Sequence, residues 1–396
     1  MQEEVVLEAV KKVPRLRFPT FRDEWRIEPL ENISSFHDEK RVPIKEGDRA
    51  QRRGKYPYYG ASGIIDYVDD YLFDGEFILL GEDGANIVLR NSPLAFVVSG
   101  KFWVNNHAHV LQANGSNQFL AEALERINYE PFNTGTAQPK LNASVCKQIP
   151  ISLPSLPEQT KIAGFLSAVD GKIQQLTRKK ALLEQYKKGV MQQLFSLELR
   201  FKREDGTHYP DWEKRPMSSF LVERNVKAPK SDRYPLMSFV AYKGVTPKGD
   251  RYDREFLVND GTNKPYKQTE YGDFIYSSNN LLTGSIGLNS YGPASISPVY
   301  SIFQVKESSH SQFISEYLVR RSFLNKMVMF RQGVVYGQWR IHESDFLSIQ
   351  EKMPCIEEQQ RIAGFLSALD GRVAAVQEQL AGAVRWKKGL LQGMFV

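Results

Sequence analysis

The sequence lacks long hydrophobic runs, and nowhere do about 18 apolar residues follow one another, the length that a membrane-spanning helix needs. Its first residues, Met1-Gln2-Glu3-Glu4, are acidic where a secretory signal is basic, so we expect a cytoplasmic protein. Hydrophobic residues make up 41% and charged residues 25% of the 396, which is typical of soluble globular domains. The length predicts two or three such domains.

Cysteine is scarce as well. The two cysteines, Cys146 and Cys355, lie far apart in unlike contexts, so we expect free thiols in a reducing compartment and no disulfide. Two cysteines also cannot supply a zinc site by themselves.

Several catalytic motifs are missing. No two prolines are adjacent, which excludes the Asn/Asp-Pro-Pro-Tyr/Phe motif of adenine methylases. The chain has no Gly-x-Gly pair and no Gly-Lys-Ser/Thr, so neither an S-adenosylmethionine or nucleotide loop nor a P-loop is predicted. Pro-Asp occurs only at Pro210-Asp211, and no Asp/Glu-x-Lys of a nuclease follows it. We therefore predict no catalytic residue, no metal site and no cofactor in this chain.

Two segments of the chain repeat each other. Residues 158–195 and 358–395 align at a constant offset of 200 without a gap, and 17 of the 38 positions are identical. Self-similarity of this length at one fixed offset indicates a duplicated structural unit.

Both copies have the pattern of a long helix that packs along a partner helix. Their apolar residues alternate three- and four-residue steps, as a and d positions of a coiled coil do. The first stripe is interrupted by Lys180 and Lys187 and the second by Lys387. The stripes contain Ile162, Leu166, Val169, Ile173, Leu176, Leu183, Val190 and Leu194 in the first copy, and Ile362, Leu366, Leu369, Val373, Val376, Leu380, Ala383, Leu390 and Met394 in the second.

The start of the first helix carries a capping pattern. Ser155 lies three residues before Glu158, the spacing of a capping box, and Cys355 replaces this serine in the second copy. We expect the first helix to be the better capped.

The regions before the two helices begin alike and then differ. Leu16-Arg17-Phe18 precedes Trp25, and Leu199-Arg200-Phe201 precedes Trp212. The chain therefore alternates globular and helical regions. We predict an N-terminal helical extension over 1–14, a first domain over 15–152, a first helical spacer over 153–200, a second domain over 201–353 and a second spacer over 354–396.

The sequence pattern of the two globular regions predicts short strands joined by turns. Residues 64–68 and 76–80 in the first, and 274–276 and 300–305 in the second, are rich in β-formers. Asp74-Gly75 and Asp83-Gly84 suit hairpin turns. Helical stretches are predicted near the domain ends, at 118–127 and 311–328. The predicted fold class is α+β, with two α+β domains alternating with two long helices.

The order of these parts predicts their arrangement. Each domain immediately precedes its helix, and a short linker follows the first helix, so the helices should pair as an antiparallel coiled coil with pseudo-two-fold symmetry. Two unlike domains held at a fixed separation suit a divided linear target such as duplex DNA, whose major groove repeats about every 34 Å. The target would be asymmetric, with an unread gap set by the helices. The net charge of +6 suits a polyanion but is mild for 396 residues.

The whole chain resembles the specificity subunits of type I restriction-modification enzymes. The resemblance rests on the duplicated helices, on residues 154–159 leading into 161–166, and on shorter segments in the two domains, namely 56–63, 81–84, 105–109 and 135–140 in the first and 276–280 and 333–337 in the second. It implies two DNA target-recognition domains and a complex with two adenine-N6 methyltransferase (M) subunits packed on the helices. Two motor-nuclease (R) subunits are optional, and those partners would bind S-adenosylmethionine, ATP and Mg.

Polar residues in these segments have the chemistry to contact bases or phosphates. Individually most of them fit a turn or a surface position, and their grouping makes them candidates. The candidates for DNA binding in the first domain are Tyr58, Ser62, Asn105, Asn106, His107, His109, Thr136, Gln138 and Lys140. Those in the second are Lys243, Tyr276, Ser277, Asn279, Asn280, Tyr336, Gln338 and Arg340.

Some residues allow more than one interpretation. His107 and His109 would share one face of a strand, where they pack or bind DNA more plausibly than a metal, because no third ligand is suitably spaced. Glu82 and Asp83 fit a turn, although a carboxylate can accept from cytosine N4. The basic runs at 178–180, 187–188 and 387–388 suit either phosphate contacts or a solvated helix face.

Two other functions are compatible with parts of the sequence. A self-sufficient restriction endonuclease with an atypical site would cleave DNA as a single chain with magnesium. A coiled-coil scaffold that binds only protein would show no salt-dependent affinity for DNA. Neither accounts for the gapless duplication.

Overall fold

The structure is a computed structural model that describes residues 13–135, 138–248, 265–334 and 338–396. It forms two compact units, one of Met1–Arg178 with Gln377–Val396 and one of Lys179–Val376, called the first and second unit here. Each long helix is divided between them. The N-terminal extension predicted for 1–14 lies outside the described residues except for its last two, and the predicted domain boundaries remain a prediction.

The first unit is built on a six-stranded sheet with the strand order β2-β7-β5-β6-β3-β4, in which only β3 and β6 pair in parallel. A separate antiparallel pair joins β1 to β8. The strands are β1 (Arg26–Pro29), β2 (Ser34–Phe36), β3 (Arg53–Gly60), β4 (Gly63–Val68), β5 (Phe73–Gly81), β6 (Ala95–Val104), β7 (Ala108–Ala113) and β8 (Pro150–Leu153). The short helices are α1 (Leu30–Ile33), α2 (Glu46–Gln51), α3 (Asn86–Leu89), α4 (Asn117–Leu124) and α5 (Ala143–Lys147).

Strand β5 is buried on both faces, which explains its continuous run of apolar residues. Phe77 and Leu79 pack into one hydrophobic cluster, and Ile78 and Leu80 pack into another. This alternation follows from the two-residue period of a strand. The predicted hairpin turn at Asp74-Gly75 is wrong, because both residues lie inside β5 and pair with β6.

The second unit has smaller sheets. A four-stranded sheet has the order β10-β18-β15-β16, a three-stranded sheet the order β11-β14-β17, and three strand pairs join β12 to β13, β19 to β20 and β9 to β21. The strands are β9 (Glu213–Pro216), β10 (Leu221–Glu223), β11 (Lys227–Ala228), β12 (Met237–Val240), β13 (Gly244–Pro247), β14 (Tyr266–Thr269), β15 (Phe274–Tyr276), β16 (Ile286–Leu288), β17 (Ala294–Ile296), β18 (Ser301–Val305), β19 (Gln332–Val334), β20 (Gln338–Arg340) and β21 (Gln350–Met353).

The helices of the second unit and the two long helices complete the fold. They are α6 (Leu156–Ser196), α7 (Ser311–Leu318), α8 (Arg321–Met329), α9 (Glu343–Ser348) and α10 (Ile356–Met394). The predicted α+β class and the two long helices are confirmed, and the stretch predicted as helical at 311–328 forms α7 and α8. No helix among the described residues has the length and apolarity to cross a membrane.

The predicted apolar stripes form the contact between α6 and α10 within each unit. In the first unit, Ile162 and Leu166 share a cluster with Met394, and Asp170 pairs with Lys387 further along. In the second, Lys187 pairs with Asp370, and Val190 and Leu194 share a cluster with Ile362 and Leu366. In both units the contacts move back along α10 as they advance along α6, which is the order of an antiparallel pair.

The predicted capping box at the start of α6 is wrong. The Glu158 carboxylate does not reach back to the N-cap; it accepts two hydrogen bonds from Arg17, at 2.7 and 2.8 Å. Glu358 accepts from Arg200 at 3.2 and 2.9 Å in the same way. Both glutamates are 1% exposed, so an arginine from the start of each unit's globular part neutralises a buried carboxylate at the start of its helix.

Other contacts at the two helix starts are duplicated too. Gln159 donates to the Pro154 carbonyl and Gln359 to the Pro354 carbonyl, both at 3.0 Å. Lys187 and Lys387, which interrupt the two stripes, each have two acidic partners in their own unit. Lys387 contacts Asp170 and Glu122, and Lys187 contacts Asp370 and Glu316, at 2.8–3.3 Å.

The structural repeat begins earlier than the sequence repeat. Helices α5 and α9 start at residues 143 and 343, and strands β8 and β21 span 150–153 and 350–353, again at an offset of 200. Burial matches as well, since Leu141 and Ile341 are both 0% exposed, as are Cys146 and Phe346. The repeated frame therefore extends from residue 141 to 195 and from 341 to 395.

Candidate nucleic-acid interface

Three loops of the first unit meet in one surface, called the first loop cluster (residues 82–84, 105–107 and 138–141). The Glu82 N–H donates to the His107 carbonyl at 2.9 Å, and the Leu141 N–H donates to the Glu82 carbonyl at 2.7 Å. The Gly84 N–H donates to the Pro139 carbonyl at 3.0 Å. Residues predicted as candidates from separate sequence segments are thus brought together.

A buried ion pair lies beneath this cluster. His109 is 0% exposed; its Nδ1 lies 2.6 Å from an Asp38 carboxylate oxygen and its Nε2 lies 2.8 Å from the Leu141 carbonyl. Burial by itself lowers the pKa of His109, but the hydrogen bonds and charges of Asp38 and Cys146 outweigh burial and raise that pKa to about 10. His109 is therefore an imidazolium at neutral pH that holds the 138–141 loop from below.

The two acidic residues of the cluster are engaged inside the protein. Glu82 accepts from Arg41 at 2.7 Å, and the Lys140 ammonium lies 3.5 Å from its other oxygen. Asp83 lies 2.8 Å from Nδ1 of His107. These contacts fit neither a catalytic carboxylate pair nor an open acceptor for cytosine. The predicted hairpin turn at Asp83-Gly84 is wrong, because Asp83 forms an isolated antiparallel bridge with Lys140 and the connection from β5 to β6 runs over residues 82–94.

The candidates in the first unit divide by exposure. Ser62, in the turn between β3 and β4, is exposed, as are Asn106, His107, Gln138 and Lys140, whereas Thr136 lies outside the described residues. Tyr58, Asn105 and His109 are buried, so their side chains do not reach the surface. The Tyr58 hydroxyl accepts from the Ile44 N–H at 2.9 Å, and the Asn105 side-chain carbonyl accepts from the His107 N–H at 2.9 Å.

The histidine pair differs from its predicted placement. His107 lies in the turn before β7 and His109 lies within β7, so the two rings do not share a strand face. Each has its own carboxylate, Asp83 or Asp38. Among the described residues, no group of three or more His, Cys, Asp or Glu could hold a metal ion.

In the second unit a loop supports a two-stranded ribbon. We call the ribbon of β19 and β20 the second-unit ribbon. The Trp339 N–H donates to the Asn279 side-chain carbonyl at 2.5 Å, and the Ile341 N–H donates to the Ser278 hydroxyl at 3.1 Å. All three residues of β20 are exposed. Paired antiparallel ribbons fit the width of a DNA major groove.

The candidates in the second unit divide in the same way. Lys243, Asn279, Asn280, Gln338 and Arg340 are exposed, and Tyr336 lies outside the described residues. Tyr276 and Ser277 are buried at 0% and 3% exposure. Tyr276 belongs to the aromatic core, where its ring stacks on Phe303 at 5.7 Å, and burial raises the pKa of its hydroxyl. Ser277 accepts from the Asn280 N–H inside the loop.

Sequence reasoning missed the residues that support these loops. Asp38 and Arg41 come from a segment about 70 residues away from His109, and no local pattern marks them. In the second unit, Tyr242 was missed as well. It is 84% exposed with a φ of 62°, and its N–H donates to the Gly284 carbonyl at the 277–285 loop. An exposed aromatic residue beside Lys243 is the signal that could have indicated it.

Both surfaces present amides and cations, groups that bind base edges and phosphates. Comparison with known proteins agrees with this chemistry. Residues 22–185 match the family described as the type I restriction modification DNA specificity domain.

Relatives carry the same description. A type I restriction enzyme specificity subunit of Haemophilus influenzae is 40% identical over 148 residues, which are 37% of this chain and 37% of that protein. The MjaVIII specificity subunit of Methanocaldococcus jannaschii is 24% identical over 411 aligned residues, covering 97% of this chain and 94% of the relative. The type I S subunit of M. genitalium shares the fold, with a TM-score of 0.62 at 15% identity over 97% of this chain and 99% of that one. Residues 22–185 therefore belong to this DNA specificity domain family, and over most of its length the chain is similar to specificity subunits of type I restriction-modification systems.

Proposed function

We propose that this chain is the non-catalytic subunit that reads the DNA target of a type I restriction-modification enzyme. It binds a bipartite, asymmetric duplex sequence and directs adenine methylation by two separate methyltransferase subunits that pack on α6 and α10. Motor-nuclease subunits add cleavage where they are present. These partners bind S-adenosylmethionine, ATP and Mg, and the complex acts in the cytoplasm.

One observation carries the proposal. The two units repeat the contacts that fix their helices, yet they support unlike loops above that frame. The first loop cluster rests on a buried His109–Asp38 pair, whereas the second-unit ribbon is held by Asn279 and Ser278. Two similar frames with different reading surfaces suit a target whose halves differ in sequence.

Mapping of N6-methyladenine in the host genome tests the proposal. Deleting the gene should remove methylation from one bipartite motif, and restoring the full chain should return it. If the motif stays methylated after deletion, the proposed function is wrong.

The purified chain should bind duplex DNA with an affinity that falls with salt. Cleavage by that chain with magnesium alone would favour the endonuclease, and salt-independent or absent binding would favour the scaffold.

Domain exchange tests the bipartite reading. Replacing residues 15–152 with another recognition domain should change one half of the methylated motif and leave the other half and the gap unchanged. Replacing residues 201–353 is the matched control, which should change only the opposite half. Inserting one heptad into each long helix should lengthen the unread gap. A change in both halves after a single exchange would contradict separate readers.

A further inference from the structure

Two exposed residues recur at the same place in both units. Gln138 and Gln338 are separated by the offset of 200, and so are Lys140 and Arg340. Each pair lies immediately before the fully buried Leu141 or Ile341, where the repeated frame begins. Whereas most loop residues differ between the units, these two positions keep an amide and a cation.

The first unit holds its pair on a tightly bonded loop. The Asn133 side-chain carbonyl accepts from the N–H groups of Gly135 and Lys140, at 3.0 and 2.8 Å. The Thr134 N–H donates to the Lys140 carbonyl at 2.8 Å. These hydrogen bonds fix the Lys140 backbone on both sides, so the Lys140 side chain leaves the surface from a fixed position.

The second unit holds its pair by different means. Gln338 and Arg340 lie in β20, opposite Val334 and Gln332 of β19. The Trp339 N–H between them is bound by Asn279. The supports therefore differ between the units, whereas the amide and the cation they present are alike.

The charges of the two cations are only weakly compensated. The Lys140 side chain is 47% exposed with its ammonium 3.5 Å from Glu82, and the Arg340 side chain is 57% exposed with its guanidinium 3.7 Å from Glu343. The cation of each pair is open to solvent, which screens its attraction to the carboxylate. Exchanging such a carboxylate for a phosphate oxygen therefore costs little.

The change from lysine to arginine indicates what is bound. The planar guanidinium fork of arginine and the point charge of lysine are not interchangeable at a site that binds two donors, whereas either cation can neutralise a phosphate. This position keeps its positive charge in both units but not the geometry of the charged group, although the two units read different bases. Such a position fits a phosphate contact, which carries no base information. We propose that Gln138 with Lys140, and Gln338 with Arg340, form a phosphate clamp that both units use alike. This inference rests on the proposed function and leaves base discrimination to the unlike loops.

The test uses the full chain, purified from its host with the subunits that accompany it. A duplex library with randomised positions is selected to define the bound motif, and the affinity for the selected duplex is then measured as a function of salt. The variants are Lys140→Ala and Arg340→Ala, with the exchanges Lys140→Arg and Arg340→Lys. Matched controls are Lys172→Ala and Arg372→Ala, since these exposed cations also lie 200 residues apart but on the long helices.

Each alanine variant should weaken binding of every duplex by roughly 5- to 10-fold and reduce the slope of log affinity against log salt by about 0.9. The selected motif should not change, the exchanged variants should bind nearly as the parent does, and the controls should shift affinity less than about 2-fold. Relaxed preference at one base with Arg340→Lys would instead show guanine recognition and overturn the clamp. Unchanged affinity and slope would also overturn it. A parent chain that binds no DNA would contradict the proposed function itself.

Discussion

The two units hold their helix starts with the same contacts, but different side chains support the surfaces next to those starts. Arg17 and Arg200 neutralise Glu158 and Glu358 in equivalent ways. Above this frame the first unit buries a charged pair, His109 with Asp38, and the second stacks the rings of several aromatic residues, among them Phe346. Each frame must pack against the equivalent end of the other long helix, whereas each loop surface needs only local support and is therefore able to diverge.

The largest expected difference concerns one frame position, occupied by Cys146 in the first unit and Phe346 in the second. Both are 0% exposed, but Phe346 packs its ring against four other aromatic rings. Phe346→Ala should destabilise the second unit by about 4 kcal/mol and Cys146→Ala the first by about 1 kcal/mol. Hydrogen exchange followed by mass spectrometry on peptides of each unit measures both. Equal losses would show that the two cores do not differ as described.

Removing an arginine tests the shared frame. Arg17→Ala leaves the buried Glu158 without its cation and should cost about 3 kcal/mol. Arg200→Ala should cost less, roughly 2 kcal/mol, because the Trp212 indole N–H still donates to Glu358 at 3.0 Å. In the first unit the Trp25 indole N–H is buried without a partner among the described residues. Urea unfolding of the two variants, with the exposed Arg215→Ala as control, measures the loss of unfolding free energy in each. A greater loss for Arg200→Ala than for Arg17→Ala would contradict the prediction.

A pH series distinguishes the interior of the first unit from that of the second. Because the folded-state pKa of His109 is raised to about 10, its stabilisation is fully present below about pH 6.5 and is lost as the pH rises toward 10. Asp38, whose pKa is lowered although burial opposes this, adds stability that is lost at acidic pH. The first unit should therefore lose roughly 2 kcal/mol between pH 6.5 and 8.

The slope of this pH series should disappear in His109→Gln and persist in His107→Gln, a matched change of the exposed neighbour. Hydrogen exchange in peptides of the first unit at pH 6.5 and 8, corrected for the intrinsic rate, measures the slope. A slope that survives in His109→Gln would show that another group titrates.

The smallest effects should come from the stripe lysines and should be equal in the two units. Lys187→Met and Lys387→Met each remove a half-buried cation from two carboxylates, and each should cost about 1 kcal/mol. The exposed neighbours Lys188→Met and Lys388→Met are the controls. Thermal unfolding should show similar shifts of roughly 2–4 °C for the first pair. Shifts that differ between Lys187→Met and Lys387→Met would show that the ion pairs of the two lysines are not equivalent.

The sequence predicts the frame better than the loops. Identity at a constant offset, and a stripe from Ile162 to Leu194 with its counterpart from Ile362 to Met394, identify both long helices because burial along a helix has a period visible in one sequence. The earlier part of the repeat was not recognised, since pairs such as Cys146 and Phe346 preserve burial without preserving residue type.

The candidate surfaces were predicted only in part. Residue chemistry correctly selected exposed positions such as Asn106, Gln138 and Arg340, although their binding role stays a prediction. It could not separate a side chain that faces outward from one that holds a turn, as Asn105 does, because both roles favour the same amide. The Asp38 contact to His109 joins segments distant in the chain, and no local pattern reports it.

The contact between Arg17 and Glu158, repeated by Arg200 and Glu358, bears on how such a chain can be recombined. Each arginine opens a globular segment and each glutamate opens the helix that follows it. A segment grafted from elsewhere is compatible with either helix if it carries its own arginine at this place. A hybrid that has no arginine at this place leaves the buried glutamate of the following helix without its cation, so viable hybrids should keep an arginine at position 17 or 200.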